Sequence, residues 1–176
     1  MNDNISMRMV AACLLITTFL GCGGAEPNWQ SGDSKDKAVT ASFPRKPKPG
    51  KGEDDRDLTV ATFRDTSYFI GSGNFPTPLP GVAEVLESCQ DELQTYWATI
   101  IRMTEISLGE CQGIEIVASN LAGTEFIVTR LYAQQAPFNN VYRVYEIAVQ
   151  GNDESLIEHE YTSTFFDSFV IKEGKK

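Results

Sequence analysis

One histidine, His159, stands among 176 residues. That scarcity removes most acid–base and metal chemistry, because imidazole is the usual proton carrier near neutral pH and a principal metal ligand. No C-x-x-C pair occurs, so the common arrangement that lowers a thiol pKa is missing. No G-x-S-x-G occurs either, and Gly71-Ser72-Gly73 lacks the lysine and helix start of a phosphate loop, so it reads as a loosened strand. Positive charge is also short. Lys and Arg number 15 against 24 Asp and Glu, for a net charge of −9, and from Leu58 to the C-terminus 16 acidic residues face 7 basic ones. Phosphate binding needs clustered cations that release counterions, so nucleic acid is excluded and any partner is expected to be neutral or basic. The acidic pairs Asp153-Glu154 and Glu158/Glu160 lack calcium-loop spacing and read as solvated surface. No metal and no cofactor is expected. What is there is a globular composition, 41 % hydrophobic with 10 Phe, 6 Tyr and 2 Trp, enough for one domain to bury a core.

The N-terminus carries the strongest local signal. After Arg8, Met9 to Leu20 form an apolar run of signal-peptide length, too short to cross a bilayer as a permanent helix. It closes on Phe19-Leu20-Gly21-Cys22, a small residue before a cysteine. This sequence resembles the lipobox of bacterial lipoproteins, with Phe19 in the place of the usual leucine. The resemblance implies that residues 1–21 are a lipoprotein signal peptide and that Cys22 is diacylated on sulfur and becomes the mature N-terminus. Two or more acyl chains then hold the chain on a membrane. The alternative is an ordinary secretory signal cut elsewhere. Gly23 lacks the aspartate that commonly retains lipoproteins at an inner membrane. The expected location is therefore the cell envelope, lipid-anchored at an outer membrane facing periplasm or surface.

Residues 22–37 are expected to be the acylated N-terminus and a flexible tether, because Trp29 is their one large apolar side chain. Such a tether would hold the domain on the order of 20 Å from the lipid. Pro44 to Asp57 reads as a solvated loop with extended bias, in preference to a basic patch for anionic headgroups. Alternation places strands at Val39–Phe43, Leu58–Phe63 and Ser67–Phe75. From Val82 the period changes: Val82, Val85, Leu86, Cys89, Leu93 and Trp97 recur at helical spacing, with Glu84, Glu87, Asp91 and Glu92 opposite. Four more strands follow at Ile100–Leu108, Ile114–Ser119, Glu125–Gln134 and Val141–Gln150, separated by short turn-forming segments that allow only antiparallel neighbours. Asp153 caps a second expected helix, about Glu154 to Asp167, with Ile157, Tyr161, Thr164, Phe165 and Ser168 on its inner side. Phe169-Val170-Ile171 is a last strand, and 173–176 a charged tail. The pattern predicts an α+β fold, an antiparallel β-sheet covered by two helices, with Leu93, Trp97, Phe165 and Phe169 where helix meets sheet.

Four short segments, in order over residues 38–172, carry a second resemblance. They are Ala41-Ser42-Phe43-Pro44 with Lys46-Pro47; Leu108-Gly109 with Gly113-Ile114-Glu115; Thr129-Arg130-Leu131-Tyr132 with Val141-Tyr142-Arg143-Val144; and Phe165-Phe166-Asp167-Ser168-Phe169. Together they resemble the PsbP-like family, which includes the extrinsic photosystem II subunit and bacterial lipoproteins. The resemblance implies an α/β/α sandwich and a binding or assembly role, with no common catalytic residues to carry over.

Three groups remain to be weighed. Cys89 on the helix stripe and Cys111 in the following hairpin are a possible disulfide in an exported protein, one that would add roughly 3 kcal/mol. The alternative is two unrelated thiols. His159, between Glu158 and Glu160, reads as an exposed histidine on the second helix rather than a titrating switch. The expected function is accordingly a non-catalytic, membrane-anchored envelope lipoprotein that binds a protein or a small ligand. The alternatives are a thiol-redox protein using Cys89 and Cys111, or a hydrolase whose residues cannot be named.

Overall fold

Side-chain alternation decides the layers. In β5 (Thr66–Phe75) Phe69 enters one core while its neighbours Tyr68 and Ile70 enter another, because successive residues of a strand point to opposite faces of the sheet. The computed structural model describes residues 26–52, 57–75, 81–136 and 141–172. Within them, β3 (Lys48–Lys51), β4 (Asp57–Phe63), β5, β6 (Thr99–Leu108), β7 (Cys111–Ser119), β8 (Phe126–Gln135) and β9 (Tyr142–Gly151) form one antiparallel sheet. Its order is β3-β4-β5-β9-β8-β7-β6. A smaller sheet, ordered β1-β2-β10, pairs β1 (Gln30–Asp33) and β10 (Val170–Ile171) on either side of β2 (Val39–Phe43).

The helix α1 (Val82–Tyr96) covers one face of the main sheet. Its stripe of Val85, Leu86, Cys89 and Leu93, with Trp97 just beyond its end, meets Phe69, Ile116, Ile127, Leu131 and Ala148. The other face is covered by a mixed layer: the small sheet, a 3₁₀ turn (Glu154–Ile157) and the helix α2 (Glu160–Asp167). Phe165 of α2 is its anchor, 5.1 Å from the Phe43 ring and 5.3 Å, edge to face, from the Tyr68 ring. The expected antiparallel sheet with two helices is what folds, but sheet dominates, and the second outer layer is as much strand as helix.

The strands of the central hairpins and α1 lie within a residue or two of their expected bounds, apart from β7, which begins earlier, at Cys111. In the β6–β7 hairpin, Gly109 takes a left-handed conformation at the turn (φ 60°). Gly113 is needed for a different reason: a Cβ there would stand 2.5 Å from the Leu131 carbonyl oxygen.

Three expectations are corrected. The tether reading fails from Glu26 onward, because Gln30–Asp33 pairs along β2 and Thr40 Oγ1 donates to the Gly32 carbonyl at 3.0 Å. The loop reading of Pro44 to Asp57 fails at Lys48–Lys51, an edge strand on β4. The second helix is two pieces. Asp153 does cap the first, accepting the Ser155 N–H at 2.9 Å, but the chain breaks at Glu158-His159 before α2 begins. Its buried residues are Thr162, Phe165 and Phe166, whereas Thr164 is exposed. The signal peptide, Cys22, the turn at Pro137 to Asn140 and the tail 173–176 lie outside the described residues.

The register fixes which parts share an end of the main sheet. Phe63 pairs Thr66, which pairs Gly151, which pairs Phe126, which pairs Ser119, which pairs Thr99. The β4–β5 turn (Arg64, Asp65), the β7–β8 connection from Asn120, the C-terminus of α1 and the 3₁₀ turn after β9 therefore gather at one end. The chain comes into the fold there too: the Asn28 N–H donates to the Pro44 carbonyl at 3.0 Å, just after β2 ends.

Candidate functional site

The two cysteines settle one expectation by parity. Cys89 lies in the core under α1 with Ile116 and Ala118. Cys111, an odd number of residues before Ile116 on the same strand, lies in the core of the opposite face. A sheet stands between them. The possible Cys89–Cys111 disulfide is not formed, and the alternative of two unrelated thiols is the arrangement found. The Cys111 thiol donates to Gln134 Oε1 at 2.8 Å, and burial, with the nearby Glu110 charge, raises its pKa. A thiol so placed is a poor nucleophile. The alternation of Ile114, Ile116 and Ala118 already carried this answer in the sequence.

His159 is also placed differently from its expectation. It is the N-cap of α2: its Nδ1 accepts the Tyr161 N–H at 3.1 Å, and its ring lies 4.5 Å from that of Tyr161.

On the face that α2 covers, charged groups converge in two clusters. Glu115 of β7 bridges two arginines, Arg130 of β8 (Nε–Oε2 2.8 Å), its direct cross-strand partner, and Arg102 of β6 (3.2 Å). Arg130 also stacks its guanidinium 4.4 Å over the Phe166 ring, tying α2 to the sheet. Beyond the other edge of this layer, Asp36 in the β1–β2 turn accepts from Ser34 (2.6 Å), the Ala38 N–H (3.0 Å), Ser72 (2.7 Å) and Arg143. Burial alone would raise the Asp36 pKa, but these hydrogen bonds and the Arg143 charge outweigh it and hold the carboxyl at about 2. Sequence reading missed both clusters, because the Glu115–Arg130 opposition depends on strand register and Asp36 sits in a segment read as tether.

The third cluster lies at the end where the chain enters. Tyr161 stands 6.3 Å from Trp29 and 6.0 Å from Phe63, both edge to face. Its hydroxyl donates to Glu26 at 3.3 Å. Arg64 lies 5.2 Å over the Phe63 ring and 5.9 Å over that of Tyr161, and Arg45 lies 5.4 Å over Phe63. Both arginines are exposed, whereas the rings beneath them are buried or half-buried. This is a surface of amphipathic aromatics and cations, suited to contact with another polar–apolar boundary.

Among the described residues no three His, Cys, Asp or Glu side chains are grouped to hold a metal. Nor is any helix among them long and apolar enough to cross a membrane.

A large antiparallel sheet with one helix on one face and a helix-plus-strand layer on the other is the PsbP-like architecture. Among solved structures the chain is similar to the cyanobacterial PsbP, CyanoP, from Synechocystis sp. PCC 6803, with a TM-score of 0.55 over 86 % of this chain and 98 % of that one at 10 % sequence identity. At that identity the likeness concerns the fold. The chain matches no protein-family model and no curated protein.

Proposed function

We propose that this protein is a non-catalytic binding or assembly module, anchored by acyl chains on Cys22 to the cell envelope, at an outer membrane facing periplasm or surface. The observation that carries the reading is how the polar groups are used. Glu115 is held by two arginines, Asp36 by four donors and Cys111 by Gln134, so the strongest polar clusters hold elements together. No nucleophile–base–orienter arrangement is built from them. The PsbP-like fold supports the same reading, since the resemblance to that family brings no common catalytic residues. The lipobox resemblance at Phe19-Leu20-Gly21-Cys22 supports the anchor. The thiol-redox alternative has lost its basis, because two thiols on opposite faces of a sheet cannot exchange electrons through a shared bond.

Cys22→Ser tests the anchor: the variant is expected to leave the membrane fraction or to remain unprocessed, and fractionation and migration like the wild type would sink it. Affinity capture of the acylated protein from native membranes tests the binding role. Recovery of a stoichiometric partner is expected, and a protein recovered alone after crosslinking counts against it.

A further inference from the structure

We propose that the end of the main sheet where the chain enters lies flat on the bilayer, in contact with the headgroup region of a zwitterionic phospholipid surface. The inference deepens the function proposed above and rests on its acyl anchor at Cys22. Three residues separate Cys22 from Glu26, which is already bonded to Tyr161, and Asn28 is bonded to Pro44. Fully extended, the four Cα-to-Cα steps from Cys22 to Glu26 reach roughly 14 Å. The headgroup layer of one leaflet is itself about 5–8 Å deep, so the anchor leaves the domain no room to stand clear of it. The 20 Å tether expected from composition is replaced by direct contact.

The composition of that end fits the contact. Leu121, in the β7–β8 connection, is 88 % exposed, and Tyr96, at the C-terminus of α1, is 38 % exposed, with Ile101 close behind at 47 %. Isolated exposed apolar residues need no explanation, but these three share an end with Trp29 and Tyr161 and with the exposed Arg45 and Arg64. Aromatic rings with polar edges and snorkelling arginines are the side chains favoured at a membrane–water boundary. The charges choose the lipid. Glu26, Asp65, Asp153, Glu154, Glu158 and Glu160 lie at or beside the same end and outnumber Arg45, Lys46 and Arg64. An anionic surface would be repelled, whereas a headgroup carrying both ammonium and phosphate offers a partner to each sign.

The chain's own tryptophans read the contact. Only Trp29 and Trp97 occur, and Trp97 is 1 % exposed, an internal reference that neither lipid nor solvent reaches. The acylated full chain is reconstituted in phosphatidylethanolamine–phosphatidylcholine vesicles containing lipid brominated high on the acyl chain. Quenching of the Trp29 component, isolated by difference against Trp29→Phe, is expected. Leu121→Asp, at an exposed turn that should tolerate it, is expected to reduce the quenching several-fold while the protein still floats with the vesicles. Addition of phosphatidylglycerol is expected to reduce it as well. Intact mass reads the anchor separately: a Cys22 without acyl groups overturns the anchor and this proposal together. An acylated, vesicle-bound chain whose Trp29 is quenched by aqueous acrylamide and not by lipid overturns the docking alone. So does a Trp29 shielded from both, which would mean that a protein or a second copy covers this end.

Discussion

The Nδ1 of His159 accepts the backbone N–H of Tyr161, so the one histidine of the chain begins a helix. Loss of a capping acceptor costs about 0.5–2 kcal/mol. His159→Ala is therefore expected to destabilise the fold within that range, above the effect of an ordinary surface change. His159→Asn, which keeps an acceptor at the cap, should recover most of it. Urea midpoints of the three proteins compare them, and equal midpoints for the wild type and the alanine variant would remove the cap from the account.

Asp36 makes stability depend on acid. Its carboxyl is held at about 2 in the folded chain against 3.8 for the free group. A depressed folded value means that the contribution is fully present above about pH 4 and is lost as pH falls through about 2. Asp33 moves in the same direction, through hydrogen bonds from Lys172 and Thr40. Asp36→Asn is expected to be less stable at neutral pH and to show a flatter decline between about pH 4 and pH 2. Parallel acid limbs for the two proteins would show that the carboxylate is not a clamp.

Trp97 and Phe165 are both essentially buried, one under α1 and one under α2. Truncation of either to alanine is expected to cost about 3–5 kcal/mol. The Trp97 indole N–H has no hydrogen-bond partner among the described residues, so the ring contributes by packing alone. Trp97→Phe should accordingly cost clearly less than the alanine variant, because it leaves a smaller cavity and no orphaned polar partner. A loss as large as that of the alanine variant would reveal a partner for the nitrogen.

Cys89 and Cys111 are expected to resist alkylation in the folded protein and to react together once it is unfolded, with no reductant added. Peptide mapping by mass spectrometry makes the distinction. A disulfide-linked peptide pair would require the sheet to be built differently.

Much of this architecture was legible because its periods are strong. Val85, Leu86, Cys89, Leu93 and Trp97 define α1 with no help from the rest of the chain, and Ile114–Ser119 is a short apolar, β-branched run bounded by turn residues. The elements that escaped have no pattern of their own. Gln30-Ser31-Gly32-Asp33 contains no large apolar side chain, and it is a strand because β2 offers it a row of partners. Lys48-Pro49-Gly50-Lys51 has two residues disfavoured in strands and forms one only at an edge, where Pro49 costs no interior bond. The aromatic–arginine end was invisible for another reason. Its members, Trp29, Arg45, Phe63, Arg64 and Tyr161, are drawn from four separate stretches, and only the fold brings them together.

The small sheet joins the first described strand to the last. Ser168 Oγ accepts the Ser42 N–H at 2.8 Å, the Lys172 N–H donates to the Ala38 carbonyl at 2.7 Å, and the Lys172 ammonium reaches Asp33 at 2.6 Å across 139 positions of sequence. Contacts of such long sequence separation form late, because the loop-closure entropy must be overcome before they contribute. A nascent chain lengthening from its N-terminus can assemble the central hairpins early, yet β2 has no second neighbour until residues 170–171 have been synthesised. Until then the edge of β2 that β10 will cover stays open, so the last described strand closes a layer that the first ones begin.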